Sequence, residues 1–218
     1  MSHKTPWDNF PELESTTPFD IETFSKYCSK DSNIIDIGCG YGRICKLLEN
    51  DGFYNITGID SSTVLLERAK KNLSKTKIIL SDTLKISLKD NFYDVGISFG
   101  IINCLYKEGD LQKYAQECSR LLKSGAFLFI NEYTRNDSEY FDLKYETGLK
   151  EFNIPRVFRS NNGIIYRHYS IVNLLNAFDK DFNLIKCESK ELLSQNHSRK
   201  VSGFSLILQK TTYKSSFR

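Results

Sequence analysis

The stretch Asn33–Arg43, NIIDIGCGYGR, constrains this chain more than any other. An apolar run carrying a single acid, Asp36, leads straight into three glycines at alternate positions, Gly38, Gly40 and Gly42. A short apolar run closed by glycine reads as a buried strand. Glycines so spaced strip side chains from backbone that something must approach closely. RICKLLENDG follows with helical spacing and is expected to stop at Gly52. Strand, glycine loop and helix in this order make one βα unit, and the chain repeats the theme.

NITGID reads as a second strand, and SSTVLLERAKKNL as a helix with Ser61 or Ser62 as its N-cap. KIILSD and YDVGISFG are a third and fourth strand, DLQKYAQECSRLLKSG an amphipathic helix closed by Gly125, and AFLFINEY a fifth strand. Strands and helices alternating in this way imply right-handed crossovers and a parallel sheet covered on both faces. After the helix SIVNLLNAF come two further strands, FNLIKCES and SGFSLILQK, close enough in sequence to pair antiparallel at the sheet edge. The predicted fold is α/β, a doubly wound seven-stranded sheet, mostly parallel with an antiparallel C-terminal edge strand, and helices on both faces.

Between Thr134 and Tyr169 the alternation breaks. NDSEYFDLKYETGLKEFN is polar and aromatic without a clear period, and IPRVFRSNNGIIYRHY reads as two short extended runs around an Asn161-Asn162-Gly163 turn. An insert after the fifth strand falls over the carboxyl ends of the strands, where open α/β sheets bind ligands. It is read as a substrate lid, the alternative being a surface loop with packed aromatics. The chain is thus expected to be one domain: an arm and short helix over 1–30, the core over 31–133, the lid over 134–169, and a helix with the antiparallel pair over 170–218.

With 30 basic and 27 acidic residues in 218, the net charge is +3 and the signs are interspersed, which gives no reason to expect nucleic acid or an anionic membrane as partner. No apolar run approaches the ~20 residues needed to span a bilayer, and the first 20 residues lack the apolar stretch of a signal peptide. The six cysteines show no CxxC pair, so neither a disulfide framework nor a metal site is expected. The expected compartment is the cytoplasm.

What the glycines accommodate can be narrowed. A phosphate-cradling loop of the GxxxxGK[ST] type is excluded, because no Lys-Ser or Lys-Thr follows. A dinucleotide fingerprint needs GxGxxG, and its third glycine position is Arg43, which counts against a nicotinamide cofactor. A buried acid in the first strand also needs a partner that a dinucleotide does not provide.

The pattern DIGCGYG resembles the first motif of the class I S-adenosylmethionine-dependent methyltransferases. The resemblance covers roughly Ser32 to Tyr133 together with the antiparallel tail. It implies that Gly38, Gly40 and Gly42 let the cofactor lie against the backbone beside Cys39, and that Asp36 helps hold its ammonium. Asp60, closing the second strand, matches the ribose-binding acid, with Ser61 beside it. Asp82 matches the acid that receives the adenine amino group, and Thr83 offers the ring a backbone N–H. YDVGISFG resembles the fourth motif, which puts Phe99 near the sulfonium. S-adenosylmethionine is then the expected cofactor and S-adenosylhomocysteine the product.

The fourth motif is not the Asn/Asp-Pro-Pro-Tyr type that methylates nucleobase amino groups, and no nucleic-acid module is attached. The small-molecule branch of the family is therefore the expected one, with an oxygen or nitrogen acceptor. His168 is the candidate base, against a packing histidine; His197 more simply belongs to a solvated loop. Tyr41, Glu132, Tyr133, Tyr166 and Arg167 are expected to line an acceptor pocket, and Arg156 and Arg167 would suit an anionic acceptor. Trp7 and Phe10 either close over the cofactor or merely pack the arm. Two other readings stand beside the enzyme: a cofactor-binding pseudo-enzyme or partner subunit, and a nicotinamide-dependent oxidoreductase.

Overall fold

The computed structural model describes residues 5–12, 14, 17–134, 139–193 and 200–212. Seven strands form one sheet: β1 (Ile34–Ile37), β2 (Ile56–Asp60), β3 (Lys77–Leu80), β4 (Tyr93–Phe99), β5 (Leu122–Tyr133), β8 (Phe182–Leu193) and β9 (Lys200–Lys210). Their spatial order is β3-β2-β1-β4-β5-β9-β8. The first five strands run parallel, and β9 runs antiparallel to both β5 and β8. The reversed C-terminal strand is therefore present, but it lies one place in from the edge, which β8 occupies.

Helices cover both faces. Ile35 and Ile37 of β1 point into one cluster with Leu111, Tyr114 and Cys118 of α4 (Asp110–Leu121) and Leu174 and Phe178 of α6 (Ile171–Phe178). Ile34 points the other way. It joins Phe24 of α1 (Ile21–Phe24), Ile44, Cys45 and Leu48 of α2 (Arg43–Asn50) and Leu66 of α3 (Thr63–Asn72). The two-residue period of the strand delivers one apolar set to each face, which is why β1 is buried throughout.

The helix ends follow from local chemistry. Ser62 is the N-cap of α3, accepting from Leu65 N at 3.2 Å. α2 ends before Gly52, which takes φ +86°; Gly52 N donates to Glu49 O and Phe53 N to Leu48 O, a Schellman motif. α4 stops four residues short of the expected Gly125. Its last turn is closed from outside by Lys210 of β9, whose buried ammonium donates to Ser119 O (2.6 Å), Leu122 O (2.8 Å) and Asn91 Oδ1 (3.0 Å). β5 begins at once at Leu122, and Gly125 (φ +78°) lies within the strand, in the stretch where the β4–β5 register shifts.

The larger correction concerns the insert. Residues Glu139–Phe152, in which no period is visible, form a 14-residue helix, α5. The two extended runs are the strands β6 (Val157–Arg159) and β7 (Ile165–Arg167), paired as an antiparallel hairpin through the Asn161-Asn162-Gly163 turn. α5 lies so close to the hairpin that a Cβ on Gly148 would sit 1.8 Å from the Val157 carbonyl oxygen. Among the described residues no helix is long and apolar enough to cross a membrane.

Candidate active site

A cavity of about 510 Å³ opens at the carboxyl ends of β1, β2, β4 and β5 and runs under the insert. Its floor is the glycine loop. Gly38 and Gly40 line it, both with positive φ (+78° and +54°). Gly42 also has positive φ but does not line the cavity: a Cβ there would meet Leu73 at 2.6 Å and Ala69 at 3.2 Å. The third glycine thus lets the start of α2 pack on α3, a role the spacing alone does not separate from ligand approach. Cys39 and Tyr41 complete the loop wall, with the Arg68 guanidinium 4.2 Å from the Tyr41 ring centroid.

Asp36 reaches the cavity from β1, and 2 % of it is exposed. Among the described residues its carboxylate accepts one hydrogen bond, from Cys45 Sγ at 3.3 Å. Burial pushes its pKa up to about 7, against the partial relief given by the Cys45 thiol and the Arg43 charge. A carboxyl so placed lacks a full partner, and a ligand cation in the cavity would provide one.

Asp60, at the end of β2, is buried, and burial raises its pKa. It accepts from Gly40 N (2.9 Å) and Ser62 N (2.8 Å), so the acid also fixes the glycine loop against α3. Ser61 and Thr83 line the cavity. Asp82 does not: it is exposed, and its Oδ1 accepts from Leu84 N at 2.8 Å. Phe99 and Gly100 at the end of β4, and Ile101, Asn103 and Cys104 just beyond it, form the next stretch of wall.

Glu132, near the end of β5, is 1 % exposed and lines the cavity. Its carboxylate accepts from Tyr133 N (3.1 Å) and Asn103 N (3.2 Å), tying the turn Ile102–Cys104 to the strand. Burial outweighs these donors and pushes its pKa up to about 7.

The far wall comes from the insert and the arm. Tyr140, Phe141, Phe158, Tyr166 and His168 line it together with Tyr133 and Trp7. The Trp7 and Tyr166 rings meet edge to face at 6.2 Å, so the arm touches the hairpin. The same turn of the arm is held by Asp8, whose Oδ1 accepts from Ser62 Oγ (2.7 Å) and Val64 N (3.3 Å) at the start of α3. His168 is buried among aromatic rings, and burial lowers its pKa to about 3. It is therefore neutral at any ordinary pH.

Arg167 and Arg156 do not line the cavity: Arg167 lies over the Tyr169 ring at 4.9 Å, and Arg156 donates to Asn173 Oδ1 at 3.3 Å. Phe10 is likewise outside the wall, and His197 lies outside the described residues. Among the wall residues that the motifs do not mark, Asn103 and Cys104 come from a turn that carries no signal, and Phe141 and Phe158 from the aperiodic insert, where aromatic enrichment is the only one.

Residues 35–130 match the model of a methyltransferase domain family. The ubiquinone/menaquinone biosynthesis C-methyltransferase of Campylobacter jejuni is 28 % identical over 158 residues, 69 % of this chain and 64 % of that protein. The demethylmenaquinone methyltransferase of Thermotoga maritima is 30 % identical over 152 residues, 68 % of this chain and 64 % of that protein. The match thus spans less than two thirds of the length of these relatives. A crystal structure of an S-adenosylmethionine-dependent methyltransferase from Methanosarcina mazei shares the fold with a TM-score of 0.81 at 24 % identity, covering 89 % of this chain and 98 % of that one.

Proposed function

This chain belongs to the class I S-adenosylmethionine-dependent methyltransferases, and from that premise we propose that it methylates an oxygen or nitrogen atom of a small molecule held under the insert. The observation that carries the reading is a single cavity joining the glycine loop and Asp36 at one end to an aromatic wall at the other. Asp36 and Asp60 would hold the ammonium and the ribose, Gly38 and Gly40 would give the cofactor its bed, and Thr83 would meet the adenine. Asp82, exposed and turned to its own loop, is left with no part in this arrangement. Bound there, S-adenosylmethionine supplies a methyl carbon made electrophilic by its sulfonium.

The protein's own contribution is alignment and a proton acceptor. Fixing nucleophile and methyl in line removes much of the entropic cost of the encounter. Glu132 carries a carboxyl that exchanges its proton near neutrality, the range in which general bases act best. His168, held neutral by burial, is a poor place to put a proton and serves better as a hydrogen-bonding group. Trp7, Tyr133, Phe158 and Tyr166 favour a flat apolar acceptor.

The relatives named as C-methyltransferases favour a second reading, transfer to a ring carbon. Both are tested by incubating the protein with trideuteromethyl-labelled S-adenosylmethionine and a panel of phenols, quinols and arylamines. The expected product carries the label on oxygen or nitrogen, as read by NMR; label on a ring carbon establishes the second reading. Tight S-adenosylhomocysteine binding with no transfer across the panel would instead favour a cofactor-binding non-enzyme.

A further inference from the structure

Tyr145 of α5 and His168, one residue past β7, stand on separate parts of the insert, yet Tyr145 Oη lies 2.7 Å from His168 Nδ1. The imidazole is walled by Phe141 and Phe158, with ring centroids at 5.0 and 4.8 Å. The backbone N–H of His168 donates to Arg156 O at 3.2 Å, so main chain and ring are both fixed. Nε2 is not one of the sealed, unpartnered polar atoms of the interior. It is the polar atom the ring has left to offer the cavity that His168 lines.

Which nitrogen carries the hydrogen follows from acidity. A phenol is a far stronger acid than the N–H of a neutral imidazole, and an unprotonated ring nitrogen is the better acceptor. Tyr145 therefore donates to Nδ1, and the hydrogen of the ring resides on Nε2. We propose that His168 presents this fixed Nε2–H to an oxygen atom of the acceptor, with Tyr145 as its positioning residue, so that the acceptor is an aromatic molecule bearing a hydrogen-bond-accepting oxygen. The aromatic wall selects the ring and Nε2–H selects the oxygen; a pure hydrocarbon leaves that donor unpaired on binding. The inference rests on the methyltransferase reading for the identity of the cavity, while the Tyr145–His168 geometry stands apart from it.

The test uses the full chain saturated with S-adenosylhomocysteine and two probes of equal heavy-atom count and shape, 2-acetylnaphthalene and 2-isopropenylnaphthalene. Wild-type protein is expected to bind the ketone about tenfold more tightly, the order of one hydrogen bond. His168→Phe should abolish the difference, and Tyr145→Phe, which keeps every ring of the cluster, should shrink it. In parallel, imidazole 15N NMR on a chain with only three histidines should show His168 with Nε2 protonated and Nδ1 bare at pH 7, and a mixture of tautomers in Tyr145→Phe. An equal preference in His168→Phe and wild type, or a wild-type Nδ1–H tautomer, overturns the proposal. Failure of S-adenosylhomocysteine to bind sinks the methyltransferase reading instead, and the NMR result still decides the tautomer.

Discussion

Asp36 keeps its proton to about pH 7 because the sheet and α2 exclude water from it. A ligand ammonium beside it would reverse that preference, since an opposite charge within a few ångströms favours the ionised form. S-adenosylhomocysteine binding below pH 7 should therefore release a proton. Calorimetry in buffers of different ionisation enthalpy is expected to show close to one proton released at pH 6, falling towards zero by pH 8.5; no buffer dependence at pH 6 would remove Asp36 from the ammonium. Asp60→Ala should weaken the same ligand by about 2–3 kcal/mol, through lost charged hydrogen bonds and a loosened Gly40. For Glu132→Gln, which keeps the side chain's shape, kcat is expected to fall on the order of 10²-fold with KM little changed. An unaltered kcat would leave Glu132 as a brace for the Ile102–Cys104 turn.

Among the elements, α5 depends most on its surroundings. Gly148 is its one buried residue, and the hairpin carbonyl occupies the space where a side chain would begin. Gly148→Ala should force α5 off β6 and cost about 1–3 kcal/mol, read as a lower midpoint in urea with an unchanged slope. The same fact explains why the sequence does not announce this helix. A helix packed through a glycine and through rings turned to a cavity carries no apolar stripe, and an apolar stripe is what sequence periodicity detects. β1, β2 and α3 were legible because their apolar residues follow the period that burial demands, and the end of α2 because Gly52 takes the positive φ its spacing suggested. The end of α4 was not, because its cap is Lys210, 91 residues beyond Ser119. Lys210→Met removes donors from three acceptors that stay in place, and should destabilise the fold by about 1–3 kcal/mol.

Across the whole molecule, the cavity draws its wall from the arm, the glycine loop, four strand ends and the insert. A sequence shows each piece but not their convergence, which is why the motif-bearing residues Asp36, Gly38, Gly40 and Asp60 were foreseeable while Asn103 and Phe158 were not. Gly42 and Asp82 fit the motif by position and yet face away from the cavity, because spacing fixes a residue's place in the chain and packing fixes its direction. Acid works on the fold in two opposing ways. Asp36 and Glu132 bind protons more tightly when folded, so their contribution is complete below about pH 4 and is lost as pH rises towards 7. For Glu49, burial alone would raise the pKa, but the donors at Lys75, Ser74 and Thr76 lower it to about 2. His168 is kept neutral down to about pH 3. Their contributions are complete above about pH 4.5 and 6.5 respectively, and are lost as pH falls towards 2 and 3. Saturation with S-adenosylhomocysteine at 100 times its Kd should add about 2.7 kcal/mol, several degrees in Tm for a chain of this size, with no shift from NADH.

The reversed strand β9 also has a temporal meaning. β8 touches the main sheet only through β9, and β5 has β9 as its second neighbour. While the chain is being synthesised, the apolar flank of β5 therefore stays without a partner until the ribosome has delivered residues 200–210. The ammonium that closes α4 travels on the same strand. The nascent chain thus carries an open strand edge and an unfinished helix until β9 emerges, and that one segment mends both. Unpaired edges are what chaperones and aggregates recognise, so nascent chains stalled before Gly203 should be held by chaperones, and release should come with the docking of β9.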